Sequence, residues 1–81
     1  MVRKLYTTPF CAYCTRVRDA LERLGLSYEE VSVGWTLADR EEVFRLTGQR
    51  RVPVLDDGGE VVYDSARILA HLDQTYSKRA P

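Results

Sequence analysis

The spacing of apolar residues in the first part of the chain predicts a strand followed by a helix. A strand-like segment covers residues 3–7 and ends at the turn-forming residues 8–10. Beyond it, apolar side chains recur at steps of three and four residues, which places them on one helical face: Cys14, Val17, Leu21 and Leu24. Gly25 suits the left-handed residue that closes many helices. We therefore predict a strand, a turn and a helix up to Gly25.

The middle of the chain again predicts a strand followed by a helix. Residues 28–33 have the β-propensity of a second strand. Asp39 with Glu42 three residues on resembles the capping box of a helix start, with Asp in place of Ser or Thr. The helix that it opens has apolar residues at 43, 44 and 46 and ends at Gly48.

The last third of the chain predicts a hairpin and a final helix. Residues 52–55 form a third strand, and residues 57–59 (Asp-Gly-Gly) form a tight turn into a fourth strand at 61–63. Asp64 or Ser65 caps a helix whose apolar residues share one face: Ile68, Leu69, Leu72 and Tyr76. The order β-α-β-α-β-β-α predicts an α/β fold with a four-stranded mixed sheet flanked by three helices.

Composition narrows the classes of function. The 81 residues suffice for one domain, 1–81, and twelve basic against twelve acidic residues give a net charge of zero. A neutral chain lacks the long-range field that collects nucleic acid or anionic membrane, so we expect neither partner. Residues 1–5 lead straight into a strand rather than a signal peptide. We expect a cytoplasmic monomer with no membrane span.

The two cysteines, Cys11 and Cys14, are the candidate catalytic residues. Cys11 lies where the first strand gives way to a helix, and free backbone N–H groups and the helix dipole favour an anion there. We therefore expect Cys11 to be stabilised as a thiolate. Cys14 lies one turn along the same face, within disulfide reach and better sheltered. These positions indicate that Cys11 attacks a disulfide and Cys14 resolves the mixed disulfide that forms.

Two other interpretations of the cysteine pair are weaker. A zinc site needs four ligands and the only other candidate is His71, which lies far along the chain, so we expect no metal. The other is a pair of inert core cysteines, which the turn and helix start around Cys11 make less favoured. His71 itself is expected to pack or face solvent rather than act as a base.

Pro53 lies between Val52 and Val54, where a central strand would lose a ladder hydrogen bond. The sequence leaves two interpretations open. Pro53 either starts a strand, or it follows a cis peptide bond that leaves the Val52 backbone free to pair with a peptide-like thiol.

Three segments together resemble a glutaredoxin over residues 3–76. They are LYTTPFCAYC at residues 5–14, Val52-Pro53, and Asp64-Ser65 at a helix start. That family has a thioredoxin-like fold, uses glutathione, and reduces protein disulfides or glutathione mixed disulfides. The resemblance implies glutathione as the reducing co-substrate, disulfide-containing proteins as partners, and Cys11 and Cys14 as the catalytic pair. It also implies five glutathione-contacting residues, Tyr13, Val52, Pro53, Asp64 and Ser65, and the charge of Arg51 directly before Val52 makes it a sixth candidate.

The sequence departs from the glutaredoxin pattern at several positions. Ala12 replaces the proline of the family's C-P-Y-C motif, and Arg51 replaces a threonine. The basic residue common shortly before the motif is missing, since Thr7, Thr8 and Pro9 stand there. The segment 62–65 (Val-Tyr-Asp-Ser) is more similar to the helix start in the N-terminal domain of glutathione transferases. In both families that helix start holds the γ-glutamyl carboxylate of glutathione. Arg50 and Arg51 are candidates for contacting the glycyl carboxylate or for acidifying Cys11, and the alternative is a solvated pair in a loop.

A dithiol oxidoreductase is therefore the leading hypothesis for the function. One alternative is a redoxin reduced by thioredoxin reductase or by another small thiol. Another is a non-catalytic module that binds glutathione or a [2Fe–2S] cluster across a dimer. We do not expect a full transferase, because the helical second domain of that family has no room in 81 residues.

Overall fold

The predicted order of strands and helices is confirmed by a computed structural model, which describes residues 3–36 and 38–76. Within those ranges the elements are as follows: β1 Arg3–Thr7, α1 Ala12–Arg23, β2 Glu29–Ser32, α2 Glu41–Thr47, β3 Val54–Asp57, β4 Glu60–Tyr63 and α3 Ser65–Tyr76. A short 3₁₀ turn, Ala38–Arg40, precedes α2. No helix among the described residues is long and apolar enough to cross a membrane.

The four strands form one mixed sheet in the order β2-β1-β3-β4. β1 pairs parallel with β2 and antiparallel with β3, and β3 pairs antiparallel with β4. Tyr6 lies opposite Val54, so the end of β1 and the beginning of β3 meet at the same edge of the sheet. This pairing brings the loop that carries Cys11 and the segment that carries Pro53 to the same edge.

The core lies on both faces of the sheet because side chains alternate along β1. Leu5 packs on one face with apolar residues of α1, α3 and β3, and these are fully or almost fully buried: Val17, Ala20, Leu21, Leu55, Ile68 and Leu72. Tyr6 packs on the other face with Val33, Val43 and Val54, beneath α2. Two layers of helices therefore hold β1 in the middle of the sheet.

The predicted capping box at the start of α2 is wrong. α2 begins at Glu41, two residues later than Asp39, and its N-cap Arg40 makes no side-chain capping hydrogen bond. Asp39 belongs to the 3₁₀ turn, where its backbone N–H donates to Thr36 Oγ1 at 3.1 Å. The chain therefore uses Thr36 to cap the turn, and the carboxylate of Asp39 packs against Gly34, where a methyl group would overlap it.

The hairpin and the end of α2 follow the glycine signals. Gly58 and Gly59 have φ values of 65° and 107°, and together they form the two-residue connection between β3 and β4. Positive φ at both central positions gives a turn whose twist matches that of antiparallel strands, which is why glycine suits this pair. Gly48 ends α2 with φ of 81°.

A buried carboxylate, Asp57, joins three elements at the opposite end of β3 from Pro53. Its side chain is 4% exposed and accepts hydrogen bonds from Arg3 Nε at 3.0 Å, His71 Nε2 at 2.9 Å and Tyr76 OH at 2.6 Å. Burial alone would raise the pKa of Asp57, but these hydrogen bonds from Tyr76, His71 and Arg3 more than offset it and hold the pKa below its ordinary value. The contacts of His71 agree with its expected packing role.

We predict that Asp57→Asn lowers the free energy of unfolding by about 3 kcal/mol at pH 7, because Arg3 loses its buried partner. Since the pKa of Asp57 is lowered on folding, its contribution is present above the ordinary value of 3.8 and is lost as pH falls through the folded value. Urea unfolding from pH 7 to pH 3 should therefore show a difference that shrinks in acid. Asp73→Asn, at an exposed position on α3, is the control. A difference that does not change with pH would contradict this account.

Candidate active site

Cys11 is the N-cap of α1, and its sulfur replaces the oxygen that usually caps a helix. The backbone at Cys11 is extended, with φ −108° and ψ 111°, and Cys14 N–H donates to Cys11 Sγ at 3.2 Å. No acidic residue lies in the first turn of α1, so no carboxylate competes for the helix start. Cys11 is partly exposed. An accessible sulfur therefore lies where the helix favours negative charge.

Cys14 lies below Cys11 and is fully buried. Burial is the largest cause that raises the pKa of the Cys14 thiol, and the hydrogen bond and charge of Cys11 raise it further, to about 12. A hydrogen bond from the Thr8 backbone and the charge of Arg18 oppose this shift. Both cysteines are free thiols. At neutral pH Cys14 is consequently a protonated thiol next to the more accessible Cys11.

The peptide bond between Val52 and Pro53 is cis, which decides between the two interpretations of this proline. Pro53 is buried and directly precedes β3. Within residues 3–36 and 38–76, the backbone of Val52 makes no hydrogen bond. Its N–H and C=O are therefore available to pair with a bound peptide-like molecule.

A cavity of about 620 Å³ opens beside this segment, which is within the range of small-molecule sites. All six residues predicted to contact glutathione line it: Tyr13, Arg51, Val52, Pro53, Asp64 and Ser65. Three further lining residues were not predicted: Gln49, Tyr63 and Arg67. Cys11 is not among the lining residues, although it precedes Tyr13 by only two positions. The folded chain thus brings the predicted contact residues together from three separate segments.

The three unpredicted lining residues flank the predicted contact segments at 50–53 and 64–65. Gln49 precedes the Arg50-Arg51 pair, Tyr63 precedes Asp64, and Arg67 lies in the first turn of α3. A signal for Arg67 was present, since side chains in the first turn of a helix surround its anion-binding end.

The two arginines before Val52 have different surroundings. Arg50 turns toward α2, where it lies 3.4 Å from Glu41 Oε2 and stacks over the ring of Phe44 at 4.1 Å. Arg51 is exposed and lines the cavity. Of the two arginines proposed for a glycyl carboxylate, the structure therefore places only Arg51 at the cavity.

The last strand and helix form the far wall of the cavity. Asp64 adopts φ of 77°, which turns the chain sharply from β4 into α3. Its carbonyl accepts the N–H of Ile68 at 2.9 Å, and Ser65 is the first helical residue. The first turn of α3 contains no acidic residue, and Arg67 lies over the ring of Tyr63 at 5.3 Å. A helix start with a hydroxyl and a nearby guanidinium is suited to a carboxylate.

Comparison with known families and curated proteins points in two related directions. Residues 5–80 match the model of the glutathione S-transferase N-terminal domain. An uncharacterized glutaredoxin-like 8.6 kDa protein of Clostridium pasteurianum is 30% identical over 59 residues, covering 73% of this chain and 79% of its own. A putative glutaredoxin of Mycobacterium tuberculosis is 35% identical over 65 residues, covering 76% of this chain and 77% of its own.

Solved structures show the same fold. A diazinon-metabolizing glutathione S-transferase of the silkworm Bombyx mori superposes with a TM-score of 0.88 at 29% identity, covering all of this chain. A glutathione transferase homolog of Drosophila mojavensis, solved with bound glutathione, gives a TM-score of 0.84 at 29% identity over 95% of this chain. The chain spans 41% and 36% of the lengths of these two transferases.

We predict that iodoacetamide at pH 7 alkylates Cys11 and leaves Cys14 unmodified. Cys14 is fully buried and its pKa of about 12 keeps it protonated, and the thiolate is the form that reacts. Peptide mapping by mass spectrometry measures the two sites separately. The same reaction in urea is the control and should label both cysteines. Equal labelling of the folded chain at both positions would contradict the asymmetry described here.

Proposed function

The chain belongs to the glutathione S-transferase N-terminal domain family and is a glutaredoxin-like protein with a thioredoxin-like fold, and on this basis we propose that it is a glutathione-dependent thiol-disulfide oxidoreductase. The observation that carries the proposal is the position of Cys11. Its sulfur caps α1 and accepts a hydrogen bond from the Cys14 N–H. Cys11 also lies two residues before Tyr13, which lines a ligand-sized cavity. Cys14, one turn below, supplies the second thiol.

The first step is attack by the Cys11 thiolate on one sulfur of a substrate disulfide. A bond forms between Cys11 Sγ and that sulfur, and the substrate S–S bond breaks. The second substrate sulfur leaves as a thiolate and takes a proton from solvent. Backbone N–H groups at the start of α1 favour the attacking anion, and Cys14 N–H is the one that points at it at 3.2 Å.

The second step is attack by Cys14 on the sulfur of Cys11. Cys14 loses a proton to solvent, the Cys11–Cys14 disulfide forms, and the remaining substrate half leaves as a thiolate. The dithiol thereby gives two electrons to the substrate disulfide. Once Cys11 is in a mixed disulfide its negative charge is gone, so two of the causes that raise the pKa of Cys14 are removed. Formation of the mixed disulfide thus prepares Cys14 for its own reaction.

Regeneration needs two molecules of a small thiol. The first attacks the Cys11–Cys14 disulfide at Cys11 and forms a new mixed disulfide. The second attacks this mixed disulfide, releases Cys11 as a thiolate and yields the disulfide of the small thiol. The two small-thiol molecules thereby give two electrons to the Cys11–Cys14 disulfide. We propose glutathione as this thiol.

The charges of glutathione match the groups around the cavity. Its γ-glutamyl end carries a carboxylate and an ammonium group, which suit the start of α3 at Ser65 and the carboxylate of Asp64, respectively. Its glycyl carboxylate suits Arg51, which also lines the cavity. Its central cysteinyl unit has one N–H and one C=O, which complement the free backbone groups of Val52. Binding of this kind presents the glutathione sulfur toward the start of α1.

An alternative to glutathione as the reductant is thioredoxin reductase. Arg51 replaces the usual threonine, and Thr7, Thr8 and Pro9 stand where a basic residue is common shortly before the cysteine motif. A redoxin reduced by thioredoxin reductase would allow both departures. Turnover with glutathione and glutathione reductase, compared with turnover with thioredoxin reductase, separates the two. The lining by Asp64, Ser65 and Arg67 favours glutathione, because a redoxin reduced directly by a reductase protein has no need of a carboxylate pocket.

We also propose that residues 1–81 act as one domain, as a monomer in the cytoplasm. The chemistry described above needs groups from a single copy of the chain only. Size-exclusion chromatography coupled to light scattering tests the monomer. A dimer that binds an iron–sulfur cluster would instead develop a visible absorption band on anaerobic reconstitution.

We predict that Cys14→Ser retains roughly half or more of the turnover of a glutathione mixed disulfide, because that reaction needs only Cys11. The same variant should lose roughly 90% or more of the rate of protein-disulfide reduction, because that reaction needs the resolving thiol. Cys11→Ser should abolish both reactions. A coupled assay with glutathione reductase measures them side by side. Full activity of Cys11→Ser would refute the assignment of the nucleophile.

We predict that Arg51→Ala and Arg67→Ala each raise the KM for glutathione about fivefold, which corresponds to about 1 kcal/mol for an exposed charge-assisted contact. The kcat values should change little, because neither guanidinium contacts the reacting sulfurs. Arg45→Ala, on the exposed side of α2, is the matched control and should leave the KM unchanged. An unchanged KM in both cavity variants would show that glutathione does not bind in this cavity.

A further inference from the structure

The side chain of Gln49 folds back onto the main chain two residues later. Its Oε1 accepts a hydrogen bond from the Arg51 N–H at 2.8 Å, and its Nε2 donates to the Arg51 carbonyl oxygen at 3.3 Å. One carboxamide thus bonds both polar backbone groups of Arg51, as a residue on a neighbouring strand would. Because only the oxygen can accept from a backbone N–H, these contacts also fix which way the carboxamide faces. We call this pairing the Gln49 clamp.

The Gln49 clamp is anchored to the end of α2 by the hydroxyl of Thr47. Thr47 Oγ1 accepts hydrogen bonds from Gln49 Nε2 and from the Gln49 backbone N–H, both at 3.2 Å. Its own proton has two acceptors within reach, Val43 O at 2.9 Å and Gln49 O at 2.8 Å. Gly48, with φ of 81°, turns the chain between Thr47 and Gln49. The end of the helix therefore sets where the Gln49 side chain points.

A second side chain, that of Arg40, holds the carbonyl directly before Arg51. Arg40 Nη1 donates to the Arg50 carbonyl oxygen at 3.1 Å, and Arg40 Nε donates to Gly34 O at 2.7 Å. The guanidinium therefore ties this part of the chain to the loop after β2. Arg40 and Gln49 together bond three consecutive backbone groups, which are the Arg50 C=O, the Arg51 N–H and the Arg51 C=O.

The bonding stops at the next residue, Val52. Within residues 3–36 and 38–76 its backbone N–H and C=O have no partner, and Pro53 leads directly into β3. Val52 therefore lies between a segment held by side chains and a strand held by the sheet. Such a residue presents its N–H and C=O in a fixed orientation without using them, so a ligand that pairs with them has little left to order.

Gln49 lines the cavity, but its N–H groups are already bonded. A carboxamide has two N–H donors and one acceptor oxygen. Both donors are used, one by Thr47 Oγ1 and one by the Arg51 carbonyl oxygen, so neither remains for a ligand carboxylate. An effect of Gln49 on a charged ligand must therefore pass through the backbone that it holds.

We propose that Gln49 is a positioning residue for the small thiol: its clamp on Arg51 holds the Val52 N–H and C=O in the orientation that pairs with the cysteinyl unit of glutathione. This inference rests on the proposed function and adds a residue that acts on the ligand only through another. Without the clamp, the segment 50–52 has more backbone orientations, and binding has to order it first. That cost falls on the affinity for the thiol rather than on the reaction of the sulfurs.

The test compares glutathione with an analogue that carries a methyl group on the cysteinyl nitrogen and so cannot donate to Val52. The variant is Gln49→Met, which keeps a long side chain and removes both hydrogen bonds to Arg51. Gln74→Met, at an exposed position on α3, is the matched control. Each thiol reduces the oxidised chain over a series of concentrations, and acid quenching with mass spectrometry gives the half-saturating concentration and the limiting rate.

We expect Gln49→Met to raise the half-saturating concentration of glutathione about fivefold, as for the loss of a hydrogen bond to the ligand. The limiting rate should stay within about twofold, because the clamp contacts neither sulfur. In the unaltered chain the methylated analogue should need about fivefold more thiol than glutathione, and Gln49→Met should change its value less than about twofold, because the bond to Val52 is already lost. Gln74→Met should change neither thiol. An unchanged value for glutathione in Gln49→Met, or an equal rise for both thiols, would overturn the proposal.

Two substitutions at Thr47 test the anchor of the clamp, since Thr47 does not line the cavity. Thr47→Val keeps the branched shape and removes the hydroxyl that orients Gln49, so the half-saturating concentration of glutathione should rise about fivefold. Thr47→Ser keeps the hydroxyl and should leave that concentration unchanged. An equal rise in both variants would assign the effect to the packing of α2 and count against the clamp.

Amide exchange separates this inference from the proposed function, because it needs no thiol. By NMR, the Arg51 N–H of the free chain should exchange about fivefold faster in Gln49→Met than in the unaltered chain. The amides of α3 should exchange equally in both, which shows that the variant is folded. Faster exchange at Arg51 in a chain that turns over no glutathione substrate would support the clamp and refute the oxidoreductase. Normal turnover with unchanged exchange at Arg51 would refute the clamp alone.

Discussion

The site depends on one hydrogen bond, from the Cys14 backbone N–H to the sulfur of Cys11. It fixes the sulfur at the start of α1, where the free N–H groups of the helix favour an anion. The bond requires that the chain leave β1 and enter α1 within a few residues, and that β1 be held in the middle of the sheet. Leu5 and Tyr6 meet that second requirement by packing on opposite faces. The apolar core thus determines where the reactive sulfur lies.

One end of the sheet carries the candidate active site, and the other end carries a buried carboxylate that stabilises the fold. At one end, the beginning of β3 and the end of β4 bring the cis Val52–Pro53 bond and the start of α3 together around a cavity, and the loop after β1 ends at Cys11, two residues before the cavity-lining Tyr13. At the other end, Asp57 ties β1, β3 and α3 through three hydrogen bonds. A buried and fully partnered carboxylate holds α3 against the sheet without taking part in the chemistry. The chain has no net charge, yet Arg51 and Arg67 line the cavity and Arg16 lies over the ring of Tyr13, and none of the three forms an ion pair with residues 3–36 or 38–76.

The elements that local chemistry specifies could be predicted from the sequence. Glycine pairs and helix-ending glycines, such as Gly58 and Gly48, have a conformational reason that does not depend on the rest of the fold, and both were found where expected. The capping box at Asp39 failed because an upstream residue, Thr36, formed the cap of a 3₁₀ turn instead. The isomer at Pro53 was left open because tertiary packing decides it. The local sequence pattern also could not predict that Gln49 lines the cavity, because the cavity forms only when separate segments come together in the fold.

The central claim is that Cys11 forms the mixed disulfide and Cys14 resolves it. The most direct measurement is to incubate Cys14→Ser with a glutathione mixed disulfide, quench with acid, and map the adduct by mass spectrometry without reduction. The account predicts one glutathione per chain, on Cys11, whereas the unaltered chain treated in the same way should contain an internal disulfide and no adduct. Absence of the adduct from Cys11 in Cys14→Ser, or a stable adduct on the unaltered chain, would contradict it.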